Sequence, residues 1–395
     1  MPPLYIRAER VVTPSGLIED GAVRVDNGRI SAVDSAYLII PSDSQPPPAT
    51  VLTAPILMPG FFDMHVHGFA GLALGGGTEA VREASRLAAG TGVTTWYAGL
   101  GHGNSFEEIA ASVEATAAAF GAQTGGAKLA GIFMEGPYIS AEKRGAWSIP
   151  NLRPPSVVEM QRLVEVSGGS IRRFNVAPEL PGALEFIRAC NDAGILVSIG
   201  HSNATYDEAL AAVEAGATIA NHTFNAMSGL EHRRPGLAGA AMTCEALTAE
   251  LILDGVHVHP AAARALFRAR GVEGVALITD GSPMTGMPDG TYERAGRTLT
   301  VEGGACRLPD GTLAGSVSTF DRDLRNAQEW LTDDLVALAA MSSGNAAQAM
   351  RIESETGAIR VGLAADLVLL DYALHVIATL ADGEIVYRRS GEDGG

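Results

Sequence analysis

The chain reads as an α/β protein: a (β/α)8, or TIM, barrel of strand–helix units with a small β domain assembled from both ends. Three observations point there. From about residue 55 to 280, apolar runs of strand length alternate with alanine-rich segments of helical period. β-rich stretches stand outside that alternation at both ends, residues 4–7 and 22–25 first, residues 365–371 and 384–387 last. Imidazoles and carboxylates recur where the apolar runs stop. A doubly wound open sheet fits the same alternation, and periodicity alone does not separate the two.

Composition narrows the class. With 47% hydrophobic residues and 18% charged, the chain has the material for a packed core rather than a disordered one. Its 28 basic and 45 acidic side chains give a net charge of −17, which argues against nucleic acid or an anionic membrane as the main partner. A small anion is not excluded, because a few local cations can hold one. Cys190, Cys244 and Cys306 show no paired spacing, as expected of a reducing compartment. The start carries no secretory pattern and no apolar run is long enough for a bilayer, so a cytoplasmic protein is expected.

The elements follow in order. Residues 4–35 read as short strands with a hairpin turn at Asn27-Gly28. Residues 41–50, with prolines at 46, 47 and 48, read as a linker. Barrel strands are expected to end near His67, Ala98, Glu135, Ala177, His201, His222, Asp254 and Asp280, with helices including 107–120, 183–193, 207–215 and 260–270. The small domain takes residues 1–54 and 345–395, the barrel 55–344, and the glycine-rich tail after Ser390 is expected to fray.

Position is what makes the polar residues informative. His65, His67, Glu135, His201, His222 and Asp280 come at the ends of expected strands 1, 3, 5, 6 and 8. In a barrel those ends share one mouth, where active sites form. One such histidine alone would read as a hydrogen-bonded structural residue; six side chains at one rim make a site for a divalent metal. His102, His232, His259 and His375 lack this placement and are expected in loops or at the surface. Arg233 and His257 are candidates for a phosphate. Lys143 and Arg144 fall in the loop after Glu135, and residues 311–316 form either a substrate-contacting loop or a turn. No GxxxxGK[ST] or strand-linked GxGxxG phosphate fingerprint occurs.

Together these segments resemble the N-acetylglucosamine-6-phosphate deacetylases of the amidohydrolase superfamily, over nearly the whole chain. The likeness rests on Asp63-Met64-His65-Val66-His67-Gly68, Glu135-Gly136-Pro137, Gly200-His201-Ser202-Asn203, His222-Thr223-Phe224-Asn225-Ala226-Met227, Arg234-Pro235-Gly236, Asp254-Gly255-Val256-His257, Thr279-Asp280 and Leu313-Ala314-Gly315-Ser316. The resemblance implies a barrel with a small β-sandwich from both termini, a homodimer, and a small amino-sugar phosphate as substrate. It implies a metal on Glu135, His201 and His222, a second on His65 and His67, and Asp280 at the metal as acid and base. Zinc is the first expectation, with iron, manganese or cobalt also suited, one or two ions per chain. Asn225 and Ala226 would contact the phosphate, Arg233 would reach it across the dimer, His257 would contact the sugar, and Ala146, Trp147 and Leu313 would line the substrate. Family members commonly carry a histidine, which polarises the amide carbonyl, where this chain has Trp147.

The expected reaction removes acetate from N-acetylglucosamine 6-phosphate: hydroxide on the metal attacks the amide carbonyl and Asp280 shuttles the proton. Carbonyl polarisation is then expected from a second metal on His65 and His67. Alternatives are the galactosamine epimer, another N-acyl amino sugar, or a sugar-phosphate sensor without catalysis. A cyclic amidohydrolase with a carboxylated lysine between its metals is disfavoured by a glutamate at 135.

Overall fold

The computed structural model describes residues 3–40, 51–122, 125–294 and 296–390. The expected linker, residues 41–50, and the tail beyond Ser390 lie outside the described residues.

Eight parallel strands form the central sheet: Phe61–Val66, Val93–Leu100, Lys128–Met134, Ile171–Val176, Leu196–Ile199, Ile219–Ala220, Thr248–Leu251 and Val275–Leu277. Each pairs with its neighbours in chain order, and a parallel bridge from Val66 to Gly281 joins the eighth unit to the first. An open doubly wound sheet would reverse its strand order at a switch point; this one does not, so the barrel reading holds.

A helix follows every strand: Thr78–Ala89, Phe106–Ala117, Val157–Val166, Ala183–Asp192, Tyr206–Ala215, Gly236–Thr243, Pro260–Arg270 and Phe320–Trp330. Local sequence sets several of their starts. The hydroxyls of Ser105, Ser156 and Thr205 each accept from the backbone N–H three residues on, and Thr205 with Glu208 completes a reciprocal capping box.

The barrel interior is apolar towards its floor. Phe62, Met64, Tyr97, Phe133, Leu196, Ile219, Ile252, Ala276 and Ile278 pack there, and Ala346, Ala347 and Met350 close the bottom. Above that apolar floor lies a polar tier. Arg173 is fully buried; it donates to Glu250 Oε1 at 2.6 Å, to Asn221 Oδ1 at 2.7 Å and to Ser198 Oγ at 3.2 Å. Its guanidinium also stacks over Phe133 at 3.6 Å. Every charge in this tier is paired, as burial demands.

A second sheet unites the two ends of the chain. Its strand order is Glu384–Arg388, Val376–Ala381, Leu367–Leu370, Val51–Pro59, Leu4–Thr13, Gly16–Asp26, Arg29–Ser35. Val51–Pro59 is the seam, parallel to Leu4–Thr13 and antiparallel to Leu367–Leu370, and it runs on almost directly into the first barrel strand. Asn27 and Gly28 both have positive φ, 51° and 77°, as a two-residue hairpin turn requires.

Between the eighth strand and its helix the chain makes an antiparallel sheet: Gly290–Arg294, Arg297–Glu302, Ala305–Arg307 and Leu313–Ser316. The stretch read as a loop or turn at 311–316 is therefore largely the last strand of a sheet that overhangs the barrel mouth.

Candidate active site

The residues after the strands turn inward at the C-terminal rim. His201, His222 and Asp280 each leave their strand with positive φ, 47°, 27° and 48°. Side chains pay for that backbone, so it persists only where surrounding structure fixes it, commonly at functional sites. Ala226 shares the feature, φ 45°.

The six expected ligands do come together. Glu135 is the hub: its Oε1 lies 3.1 Å from His222 Nε2, 3.2 Å from His201 Nε2 and 3.4 Å from His65 Nε2, while Oε2 is 3.3 Å from His67 Nε2. Asp280 Oδ1 lies 3.4 Å from Nε2 of both His65 and His67. Two groups of potential ligand atoms, each within 4.8 Å, share Glu135: His65, His67, Glu135 and Asp280, and Glu135, His201 and His222.

Tautomers decide what these nitrogens can do. His65 Nδ1 faces Glu250 Oε2 at 3.2 Å, His67 Nδ1 faces the Gly99 carbonyl at 2.9 Å, and His201 Nδ1 faces the Lys143 carbonyl at 2.9 Å. Each partner only accepts, so each Nδ1 carries the hydrogen and each Nε2 of a neutral ring presents a lone pair to the centre. His65 and His67 Nε2 are then 3.0 Å apart, lone pair against lone pair unless a cation lies between them. That donor set fits one or two divalent metal ions. Nδ1 of His222 is buried and has no hydrogen-bond partner among the described residues.

The electrostatics agree. Burial opposes every charge here, yet the carboxylates of Asp280 and Glu250 outweigh it and lift His65 to about 9. Glu135 and Asp280 raise His67 in the same way. Burial also opposes the charge of Glu135, but His67 and His201 hold its carboxyl well below the usual range. The pocket favours positive charge at its centre, and metal ions compete with protons for that place.

A cleft of about 1060 Å³ opens over this centre. His67, Glu135, His201, His222 and Asp280 form its floor; Ala146, Trp147, Asn225, Ala226, His257 and Leu313 lie on its walls. His257 Nδ1 donates to Asp254 Oδ2 at 2.6 Å, and Asp254 in turn accepts the backbone N–H groups of Val256 and His257. Arg233 is exposed and outside this cleft. The cations that do line it are Lys143 and three arginines of the overhanging sheet, Arg294, Arg297 and Arg307. Arg297 also donates to the Ala146 carbonyl at 2.8 Å, tying the overhang to the loop after Glu135.

Sequence reasoning missed part of this. Glu250 and Arg173 fix His65 from below; their signal was a charged residue within a barrel strand, Thr248–Leu251 and Ile171–Val176. The arginines of the overhanging sheet carried no signal. His102, expected in a loop or at the surface, does sit in a loop, but on the cleft wall with ring centroids 6.3 Å from His67 and 3.7 Å from Trp147. His259 instead caps the helix Pro260–Arg270, accepting from Ala261 N.

Residues 56–387 match the model of the Amidohydrolase family. An N-acetylglucosamine-6-phosphate deacetylase of Bacillus subtilis is 34% identical over 97% of both chains. An N-acetylgalactosamine-6-phosphate deacetylase of Escherichia coli O157:H7 is 32% identical over 96% of this chain and 98% of its own. The solved structure of a mutant N-acetyl-D-glucosamine-6-phosphate deacetylase from Mycobacterium smegmatis, in complex with N-acetyl-D-glucosamine-6-phosphate, is 33% identical and superposes with a TM-score of 0.90 over 98% of this chain and all of that one.

Proposed function

The chain belongs to the amidohydrolase family, and on that premise we propose that it hydrolyses the amide of N-acetylglucosamine 6-phosphate, releasing acetate and glucosamine 6-phosphate. The observation that carries this reading is the pair of Nε2 lone pairs of His65 and His67, 3.0 Å apart beside Glu135 and Asp280.

Glu135, His201 and His222 would hold one divalent cation, and His65 and His67, with Glu135 and Asp280, a second. Imidazole and carboxylate donors suit zinc, our first choice, and also iron, manganese or cobalt. Such a cation, when bound, supplies Lewis acidity: it acidifies water and polarises a carbonyl oxygen. The protein does the rest. Burial opposes the Asp280 charge, but His65 and His67 hold its carboxyl below the ordinary value, so it is ionised and able to take the proton of the attacking water. The protonated Asp280 then gives that proton to the amide nitrogen as the C–N bond breaks, because an amine does not leave as an anion.

The substrate would lie along the cleft. His257, its Nδ1 committed to Asp254, offers Nε2 to a sugar hydroxyl. Asn225 and the backbone at Ala226 take the phosphate, with Ala146 and Leu313 against the sugar. Lys143, Arg294, Arg297 and Arg307 give this acidic chain a locally cationic wall, which supports an anionic substrate. Arg233 is exposed and lies outside its own cleft, in keeping with a homodimer in which it reaches the phosphate in the partner subunit. No helix among the described residues is long and apolar enough to cross a membrane.

The galactosamine epimer is the second reading, because relatives of both kinds match almost equally, at 34% and 32% identity. The test is amine release from a panel of N-acetylhexosamines, both epimers, with and without 6-phosphate, using metal-reconstituted protein. Turnover of a 6-phosphorylated sugar well above its unphosphorylated counterpart is expected; metal-loaded protein inert toward the whole panel would refute the reading.

A further inference from the structure

His102 is the one histidine of the cleft that the chemistry above leaves unused, and its setting is constructed. It follows the second barrel strand through Gly101, whose φ is 131° and where a Cβ would meet the Gly136 backbone at 2.7 Å. A side chain at 101 is thereby ruled out, and the chain swings residue 102 over the cleft. The imidazole then stacks face to face on the Trp147 indole, with centroids 3.7 Å apart and planes 15° from parallel.

Trp147 is itself anchored. It is buried, 4% exposed, and packs onto Gly136, where a Cβ would stand 2.5 Å from the indole ring. Glu135, beside that glycine, is the hub of the candidate metal ligands, so the stacked pair is referenced to the reacting centre through one peptide unit.

Hydrogen bonding sets His102 apart. Among the described residues neither of its ring nitrogens has a partner, whereas His65, His67, His201 and His257 each commit Nδ1. An imidazole with its plane fixed by stacking and an N–H open to the cleft is a donor oriented in advance of binding, the arrangement that stabilises charge developing on an oxygen.

Building on the amide-hydrolase reading, we propose that His102 is a catalytic residue, donating a hydrogen bond to the carbonyl oxygen of the substrate's N-acyl group, and that Trp147 is the positioning residue that sets its ring plane. His102 transfers no proton. As the water oxygen bonds to the carbonyl carbon and the oxygen gains charge, the N–H···O contact strengthens; the C–N bond then breaks with the proton from Asp280.

The test compares N-acetyl and N-trifluoroacetyl glucosamine 6-phosphate, since the fluorinated carbonyl is already electron-poor and gains less from a donor. For His102→Ala, kcat on the acetyl substrate should fall about 100-fold, the size of losing one such donor. KM and metal content should hold, and the loss on the trifluoroacetyl substrate should be several times smaller. His102→Gln, which keeps an N–H, should recover part of the loss. Trp147→Ala should fall in kcat and add nothing to His102→Ala in the double variant, and Trp147→Phe, which keeps a stacking face, should lose less than Trp147→Ala. An active wild type with His102→Ala unchanged in kcat, or with equal losses on both acyl groups, overturns the proposal alone. A wild type inert toward both amides overturns the deacetylase reading and this proposal with it.

Discussion

Replacing Glu250 by Gln removes one charge from the tier beneath the site and changes almost no volume. Oε1 of Glu250 accepts from Arg173 at 2.6 Å, and Oε2 accepts from His65 Nδ1 at 3.2 Å and from the His222 backbone N–H at 3.0 Å. An amide has one oxygen. If its NH₂ faces Arg173, donor meets donor beside an unpaired buried guanidinium. If it faces His65, Nδ1 must become an acceptor, the ring hydrogen moves to Nε2, and the lone pair that meets His67 is lost. Breaking a fully buried ion pair from one side costs about 3–5 kcal/mol. With an unfolding entropy of about 2.1 cal/mol/K per residue over 395 residues, that lowers Tm by roughly 4–6 °C. Loss of a partner behind a metal ligand weakens metal affinity about 10- to 100-fold. Calorimetry, together with metal analysis after dialysis against a weak chelator, reads both. A Glu250→Gln protein that melts within a degree of wild type and keeps its full metal complement would refute the idea that the Arg173–Glu250 tier fixes His65.

The remaining tests address the rim. Asp280→Asn should lower kcat by about 10²–10⁴-fold, the range for a general acid–base group, while the fold persists by circular dichroism; near-normal turnover would remove Asp280 from the proton shuttle. Changing His65 and His67 together to Gln should reduce the metal bound per chain and suppress turnover, and unchanged activity with one ion would dismiss the second position. Gly99→Ala would place a Cβ 2.6 Å from the His67 ring, so His67 should swing away with the same metal loss, readable in metal content without any substrate. Stability should also depend on acid. Burial opposes the Glu250 charge, but Arg173 and His65 hold its carboxyl down at about 2, so this stabilisation is complete above the unfolded value near 4.5 and fades as pH falls from there toward 2. Chemical denaturation across that window should be steeper in pH for wild type than for Glu250→Gln, and equal slopes would contradict the assignment.

The sequence by itself determined the strand–helix alternation and most of the rim residues, while strand order and closure in the structure decided for a barrel over an open sheet. Apolar runs ending in His65, His67, Glu135, His201, His222 and Asp280 were legible because strand ends and side-chain chemistry are both local properties, and a barrel brings all its strand ends to one mouth. The Asn27-Gly28 turn was legible for the same reason: two residues carry their own backbone preference. Tertiary structure alone decided the rest. Arg173 and Glu250 stand 77 positions apart and acquire a purpose only once the closed barrel puts them on one buried level. His102 reads as a loop histidine until the fold lays Trp147 flat against it, 3.7 Å between centroids. Arg294, Arg297 and Arg307 look like surface charge until their sheet folds back over the mouth. A pattern along the chain reports which face a residue takes, whereas the partner across the cleft is set by closure of the whole barrel, which no local stretch of sequence encodes.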